Sequence, residues 1–260
     1  MDPATIFAAL VAGALIGFVL GLVGGGGSIL AVPLLVYFVG VGSTHAAIGT
    51  AAVAVALNAA AGLAGHARAG NVKWRCALVF AAAGILGAAL GAELGKATDG
   101  TALLALFGAL MVGVGLAMLR KRKGEPQPEV RLTRESAGQL LPRLVPAGLG
   151  VGGFAGFFGI GGGFLIVPGL LWATAMPISV AIGTSLVVVT ALGATTAASY
   201  ALSGYVDWPL VALLVAGGIA GTVIGRLAVK RLAGAKRTLD LGFAALVILV
   251  GAFVTWSALA

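Results

Sequence analysis

Long apolar runs alternate with short polar breaks along the whole chain. The runs cover approximately 5–23, 28–42, 46–65, 76–92 and 102–119 and then, after a polar basic stretch, 144–158, 163–178, 179–203, 208–225 and 239–258. A membrane-spanning helix needs about 20 mostly apolar residues. The pattern therefore predicts an all-α polytopic membrane protein with about 8–10 helical segments in the membrane. The runs 28–42 and 163–178 are short for a full span, and re-entrant or half-helices fit them.

Two glycine-rich breaks interrupt this apolar pattern. Residues 21–35 read GLVGGGGSILAVPLL, and residues 156–170 read GFFGIGGGFLIVPGL. When Pro33 is aligned with Pro168, four glycines of the first stretch fall on four of the second. Glycine costs about 1 kcal/mol relative to alanine in a helix interior. Both stretches are therefore predicted to be broken helices with unpaired backbone groups at membrane depth.

The similarity between the two halves continues after the breaks. After a one-residue gap, AIGT at 47–50 matches AIGT at 181–184, and the pattern Gly-x-Val-x-Trp at 70–74 recurs at 204–208. Matches of Ala and Gly often arise by chance in this composition, whereas matches of Pro and Trp rarely do. We infer a duplication in three parts: a first transmembrane repeat at 1–119, a basic linker at 120–143 and a second transmembrane repeat at 144–260.

Composition and charge agree with a membrane protein. Apolar residues make up 60% of the chain, charged residues make up 9%, and the mean hydropathy is +1.12. The net charge of +8 would suggest nucleic acid in a soluble protein. Here we attribute the charge to topology and expect no nucleic-acid partner. Lys and Arg concentrate in cytoplasmic loops, so the linker 120–143 is predicted to be cytoplasmic.

Counting spans back from the linker orients the two halves. The basic loop 66–75 then lies inside, whereas its repeat partner around 200–208, without Lys or Arg, lies outside. The repeats are therefore predicted to have inverted topology, a common transporter plan. The protein is expected to lie in the lipid bilayer of the plasma (inner) membrane. Both termini are expected on its outer side. Each half then crosses an odd number of times, so its first two segments form a hairpin or two crossings.

The breaks carry the candidate chemistry. A helix that restarts after glycine-rich backbone points free N–H groups and a partial positive charge at whatever lies before it. Such a start binds an anion without any charged side chain, and in an inverted pair two starts would meet near the midplane. The predicted residues for binding a small anionic substrate are Gly24, Gly25, Gly26, Gly27, Ser28, Thr50, Asn58, Gly159, Gly161, Gly162, Gly163, Thr184 and Ser185.

Structural alternatives stay open for these residues. Glycines in membrane helices also serve close helix crossings, and intramembrane Ser, Thr and Asn often bond only to a helix backbone or a neighbouring helix. This second alternative applies strongly to Thr50 and Thr184. It applies less readily to Asn58, although an interhelical role for that side chain is also open.

The remaining residues argue against other classes. The single Cys76 excludes an internal disulfide and a multi-thiolate metal site. His45 and His66 flank one helix about 30 Å apart, too far to share a metal within one chain. The carboxylates fall in loops or at span ends, whereas cation carriers usually keep one at mid-span. We therefore expect no catalytic residue, no metal and no cofactor, and we expect that the protein is not an enzyme.

The duplicated break-proline element, the AIGT element and the Gly-x-Val-x-Trp element together resemble the sulfite exporter TauE/SafE-like membrane transporter family. The resemblance covers nearly the whole chain outside the linker. It implies an integral plasma-membrane protein that moves sulfite, organosulfonates or related sulfur oxyanions, often in export. The family's glycine-rich segments carry over to Gly24–Ser28 and Gly159–Gly163.

The leading hypothesis is thus a transporter for a small sulfur-containing oxyanion that works by alternating access. A passive anion channel or facilitator is the alternative. A membrane enzyme or scaffold is a third, less favoured hypothesis, because no nucleophile–base pair or metal cluster is visible. The oligomeric state is left open, with a homodimer among the options.

Overall fold

The apolar runs form a bundle of helices. The computed structural model describes residues 2–23, 25–119, 130, 132–159, 163–231 and 236–259. The first half contains α1 (Pro3–Val23), a 3-10 helix (Gly25–Leu30), α2 (Ala31–Pro33), a π-helix (Leu34–Val39), α3 (Thr44–Arg68), α4 (Trp74–Ala97) and α5 (Gly100–Leu119). The second half contains α6 (Ala137–Phe157), α7 (Gly163–Thr174), α8 (Ile178–Leu202), α9 (Trp208–Arg231) and α10 (Lys236–Leu259).

The predicted fold class is confirmed. Seven of the described helices are long and apolar enough to cross a membrane, and three shorter apolar helices accompany them, at Gly27–Val39, Gly163–Thr174 and Ala244–Leu259. Within the described ranges every regular element is a helix. Large apolar side chains lie on the outside, Leu90 for instance being 70% exposed. Such exposure suits hydrocarbon rather than water.

Local sequence signals set the helix ends. Ser43 accepts a hydrogen bond from the Ala46 N–H at the start of α3, and Asp207 accepts one from the Leu210 N–H at the start of α9. Ser and Asp are favoured there because their side-chain oxygens satisfy helix N–H groups.

The turns after α3 and α8 have the same backbone conformation, with Gly70 at φ +69° and Gly204 at φ +76°. Glycine adopts these left-handed conformations without steric cost.

Glycine faces bring helices of opposite halves into backbone contact. A Cβ atom on Gly17 of α1 would collide with the Gly218 carbonyl of α9, and one on Gly152 of α6 would collide with the Gly84 carbonyl of α4. The first pair joins the first half to the second, and the other pair repeats the contact with the halves exchanged. Small residues at such crossings allow close van der Waals packing in lipid. The two halves are therefore interlocked through α1–α9 and α4–α6.

The central helices α3 and α8 run in opposite directions. The Thr50 hydroxyl near the start of α3 accepts a hydrogen bond from the Asp207 N–H just after α8, at 3.0 Å. The Thr184 hydroxyl near the start of α8 accepts one from the Lys73 N–H just after α3, also at 3.0 Å. The start of each helix thus lies beside the end of the other. This antiparallel pairing of matching helices is compatible with the predicted inverted topology.

Helices α1 and α3 point the same way. Along α9, Leu214 contacts Gly13 of α1 and Gly218 contacts Gly17, so α1 is parallel to α9. Asn58 of α3 contacts Gly218, and Gly62, one turn later, lies near Thr222, so α3 is parallel to α9 as well. The chain between α1 and α3 must therefore return, and the segment Gly25–Val39 is where it does so.

Candidate functional site

The first break follows the end of α1. Helical structure resumes at Gly25 as a narrow 3-10 turn and widens to a π-helix after Pro33, which has no N–H to donate. Gly27 lies directly on α1, where an added Cβ would be 2.5 Å from the Ile16 carbonyl oxygen and from the Leu20 nitrogen. Ser28 is fully buried. The segment thus folds back along α1, and Gly27 is needed for that close approach.

The second break begins at the end of α6. The Phe158 N–H donates to the Phe154 carbonyl at 3.1 Å, and the Gly159 N–H donates to the Gly156 carbonyl at 3.1 Å. Gly159 has φ +65°, the left-handed conformation that commonly ends helices. Helical structure resumes at Gly163, which is buried at the first position of α7.

The two segments that follow the breaks lie together. Helix α7 packs against the 3-10 helix Gly25–Leu30. The second break also touches the first half, because the Ile48 side chain of α3 packs on Gly159 so closely that a Cβ there would collide with it. Both interruptions thus exist and their following segments are in contact, as the anion-site hypothesis requires. Gly24, Gly161 and Gly162 of that hypothesis lie outside the described residues.

Thr50 and Thr184 are not brought together. Each hydroxyl oxygen is fully buried and accepts a hydrogen bond from the backbone N–H that precedes a helix of the other half. Since Thr184 lies beside Lys73, it is separated from Thr50 by most of the length of α3, about 27 Å at 1.5 Å per residue. One small anion cannot touch both. In this structure the two side chains join the halves to each other.

The other two polar candidates lie in different surroundings. The Ser185 hydroxyl donates to the Ile182 carbonyl at 2.8 Å, within its own helix. Asn58 is 1% exposed, and its Nδ2 donates to the Leu214 carbonyl of α9 at 3.5 Å. Its Oδ1 accepts no hydrogen bond within the described part of the chain. Gly218 makes the room for this amide, so Asn58 sits at the α3–α9 contact.

Sequence reasoning missed Tyr200. Its side chain is fully buried near the end of α8, and its hydroxyl has no hydrogen-bond partner among the residues described. A tyrosine close to a span end normally indicates the membrane interface, so its type and place gave no functional signal. The alignment of the two halves does give a functional signal, because Tyr200 occupies the position that matches His66 in the first half.

A polar cluster lies beside Tyr200, where α4 meets α8. Lys96 pairs with Glu93 at 2.7 Å, and its side chain is only 16% exposed. The Lys96 ammonium also donates to the Ser203 hydroxyl at 3.1 Å, and the Ser199 hydroxyl donates to Glu93 at 2.9 Å. The Lys96 charge is therefore compensated locally. Across the described ranges, no cluster of His, Cys, Asp and Glu could hold a metal ion.

Comparison with known proteins assigns the family. The family model described as "Sulfite exporter TauE/SafE" matches residues 9–254, which is nearly the whole chain. The chain belongs to the TauE/SafE family. The resemblance found in the sequence motifs is thereby confirmed, and the matched region includes both glycine breaks.

Relatives of this TauE/SafE family member carry transporter names. A "Probable membrane transporter protein" of Xylella fastidiosa (strain Temecula1 / ATCC 700964) is 48% identical over 244 residues, 94% of this chain and 92% of that protein. The "Probable membrane transporter protein YunE" of Bacillus subtilis (strain 168) is 28% identical over 233 residues, 83% of this chain and 85% of that protein. No solved structure matches the chain. The chain is thus a multi-pass membrane transporter of the TauE/SafE family.

Proposed function

We propose that this transporter exports small sulfur-containing oxyanions, such as sulfite or organosulfonates, and binds them between its two glycine breaks. The observation that carries the proposal is the contact between α7 and the 3-10 helix Gly25–Leu30. Both segments begin at a break, and the described residues around them are buried: Gly27, Ser28, Gly163 and Phe164. The same place thus combines interrupted backbone with exclusion of bulk solvent.

Helix-start electrostatics favour an anion there. The first N–H groups of α7 have no partner within the helix, and the helix dipole adds a partial positive charge at Gly163. Backbone donors suit sulfite and sulfonates, since these anions present several oxygen acceptors, as phosphate does at other helix starts. The family description names sulfite export, which agrees with this chemistry.

Alternating access is the transport mechanism that we propose, and the close helix contacts indicate which helices move together. Since α1 is in backbone contact with α9, and α6 with α4, these pairs cannot separate without losing close packing. The bodies that rock around the site are therefore pairs drawn from both halves, and the inverted repeats supply two such pairs related by symmetry. The glycine segments lie beside these pairs and open to one side at a time.

A binding experiment tests the substrate class. Purified protein in nanodiscs is titrated with sulfite, thiosulfate, taurine and sulfoacetate, with chloride and acetate as controls. Saturable binding of at least one sulfur oxyanion is expected. Binding of none of the four would overturn the substrate class. In proteoliposomes, saturable counterflow supports a carrier, whereas conductance without saturation would establish the passive channel instead.

Ser28→Ala tests the place of binding. The change removes a buried hydroxyl at the first break and leaves the backbone donors intact. If that hydroxyl bonds to the anion, the affinity falls about tenfold or more, as expected for a hydrogen bond to a charged group. Ser179→Ala, at an exposed position of α8, is the matched control and should not change the affinity. Equal affinities for both variants would exclude the Ser28 hydroxyl from the site.

A further inference from the structure

The Tyr200 hydroxyl is a buried polar group without a described partner. The residue has 0% exposure, and no hydrogen bond to its hydroxyl is formed by any described residue. Such groups are rare, because most buried polar atoms find a partner in the protein or in ordered water. An unpaired buried hydroxyl destabilises the folded protein. A buried hydroxyl without a described protein partner is therefore suited to form a hydrogen bond with a ligand that binds reversibly.

The hydroxyl lies beside the second break. Its oxygen is 3.2 Å from the point where a Cβ atom of Gly95 would be, and the Phe157 carbonyl oxygen is closer still to that point. Phe157 is the last residue of α6, two positions before the left-handed Gly159. Because Gly95 has no side chain, the Tyr200 hydroxyl and the end of α6 can both approach α4 at this point.

The first half has a comparable group at the matching position. The Tyr205 N–H donates to the Tyr200 carbonyl at 2.9 Å, and the Asn71 N–H donates to the His66 carbonyl at 3.1 Å. Identical backbone bonds after α3 and α8 thus make His66 the structural counterpart of Tyr200. A phenol and an imidazole differ in shape, but both can donate a hydrogen bond. Each half therefore ends its central helix with a donor.

We propose that Tyr200 is a substrate-binding residue whose hydroxyl donates a hydrogen bond to one oxygen of the transported anion at the second break. The inference rests on the proposed function and extends it, because it adds a side-chain donor to the backbone donors of α7. The hydroxyl adds one directional hydrogen bond to an oxygen of the anion. Its counterpart His66 lies at the opposite end of the antiparallel pair α3 and α8, so the phenol and the imidazole do not contact the same anion.

Fluorine NMR reads this hydroxyl directly. The chain has 3 tyrosines, so protein labelled with 3-fluorotyrosine in nanodiscs gives few signals, and Tyr200→Phe assigns the one required. The protein is titrated with sulfite, thiosulfate, taurine, phosphate and acetate as N-methylglucamine salts, and separately with sodium chloride. We expect the Tyr200 signal to shift saturably with a sulfur oxyanion and not with sodium chloride.

Tyr200→Phe supplies the functional arm. The variant should weaken binding of that oxyanion about tenfold to hundredfold, while its thermal stability is unchanged or higher because no hydrogen bond within the described protein is lost. Tyr205→Phe is the matched control, since its ring centre is 6.2 Å from that of Tyr200 and its side chain is partly exposed. That control should change the affinity less than about twofold, because an exposed hydroxyl bonds to water instead.

Each outcome separates this inference from the proposed function. Binding of a sulfur oxyanion that Tyr200→Phe leaves unchanged would overturn the role of Tyr200 and keep the function. A saturable shift with phosphate or acetate alone would support the donor and overturn the sulfur substrate class. A shift with sodium chloride alone, or with none of the salts, would overturn the inference. If Tyr200→Phe fails to fold, the titration of the unaltered chain still decides, with Tyr37→Phe and Tyr205→Phe assigning the other two signals.

Discussion

Two threonine hydroxyls hold the ends of the central helices in place. Thr50 and Thr184 had been candidates for substrate binding, and the AIGT repeat made them conspicuous in the sequence. The structure places each opposite the N–H before a helix that lies more than a hundred positions away, at Asp207 and Lys73. That partnership depends on how the two halves dock, which no local pattern encodes. The repeated AIGT motif was visible in the sequence, whereas the use of its threonines was not.

Replacing each threonine by valine tests this role. Thr50→Val and Thr184→Val keep the shape but remove the acceptor, and the backbone N–H left behind is partly buried. Each should destabilise the protein by about 1–3 kcal/mol while leaving the affinity for the anion unchanged. Thermal unfolding in nanodiscs measures the first effect and titration measures the second. Thr190→Val is the control, because Thr190 bonds only within its own helix and should have little effect on stability.

A loss of affinity without a loss of stability would return Thr50 and Thr184 to the substrate site. The control separates the two explanations, since all three valines are equally β-branched and remain helical.

At the scale of elements, the glycines divide into two kinds. Those at the breaks were found from their clustering, which no uninterrupted helix tolerates cheaply. The others line helix faces, and their partners became visible only with the fold. Gly27 belongs to both kinds, because it lies in the break and also directly on α1. The 3-10 and π-helical turns after the first break were not predicted, since they depend on how the returning segment fits beside α1.

Gly152→Ala and Gly150→Ala form a matched pair on α6. An added methyl at Gly152 collides with the Gly84 carbonyl of α4, whereas Gly150 has open space around it. Gly152→Ala should therefore destabilise the protein by about 1–3 kcal/mol through overpacking. Gly150→Ala should be neutral or stabilise by up to about 1 kcal/mol, because alanine favours helix. Thermal unfolding of both variants measures the difference, and equal effects would contradict the close α4–α6 contact.

For the whole molecule, the orientation follows from the distribution of Lys and Arg. The loop after α3 is basic and its counterpart after α8 is not, so the two are expected on opposite sides of the membrane. The fold agrees that these two loops lie at opposite ends of the antiparallel pair α3 and α8. Which end faces the cytoplasm depends on charges in the linker, and five of its seven Lys and Arg residues lie outside the described residues.

Cysteine labelling tests the orientation. Leu202 and Ala69 are exposed at the ends of α8 and α3, and the sole native cysteine, Cys76, can be replaced by alanine first. In intact cells, a membrane-impermeant maleimide should label Leu202→Cys and not Ala69→Cys. Inside-out vesicles should give the reverse. Labelling of both from the same side would contradict the inverted topology, and the opposite pattern would reverse the orientation.

The exchange of partners between the halves has a consequence for synthesis. Helix α1 leaves the ribosome early, yet the helix that covers its glycine face, α9, is made only near the end. Until then that face is in contact with lipid or with the insertion machinery. A fragment that stops at residue 119 would never acquire its cover, and two separately encoded fragments should assemble only when both are produced in one cell. The two halves therefore reach their final packing together, after α9 has been made, and not one after the other.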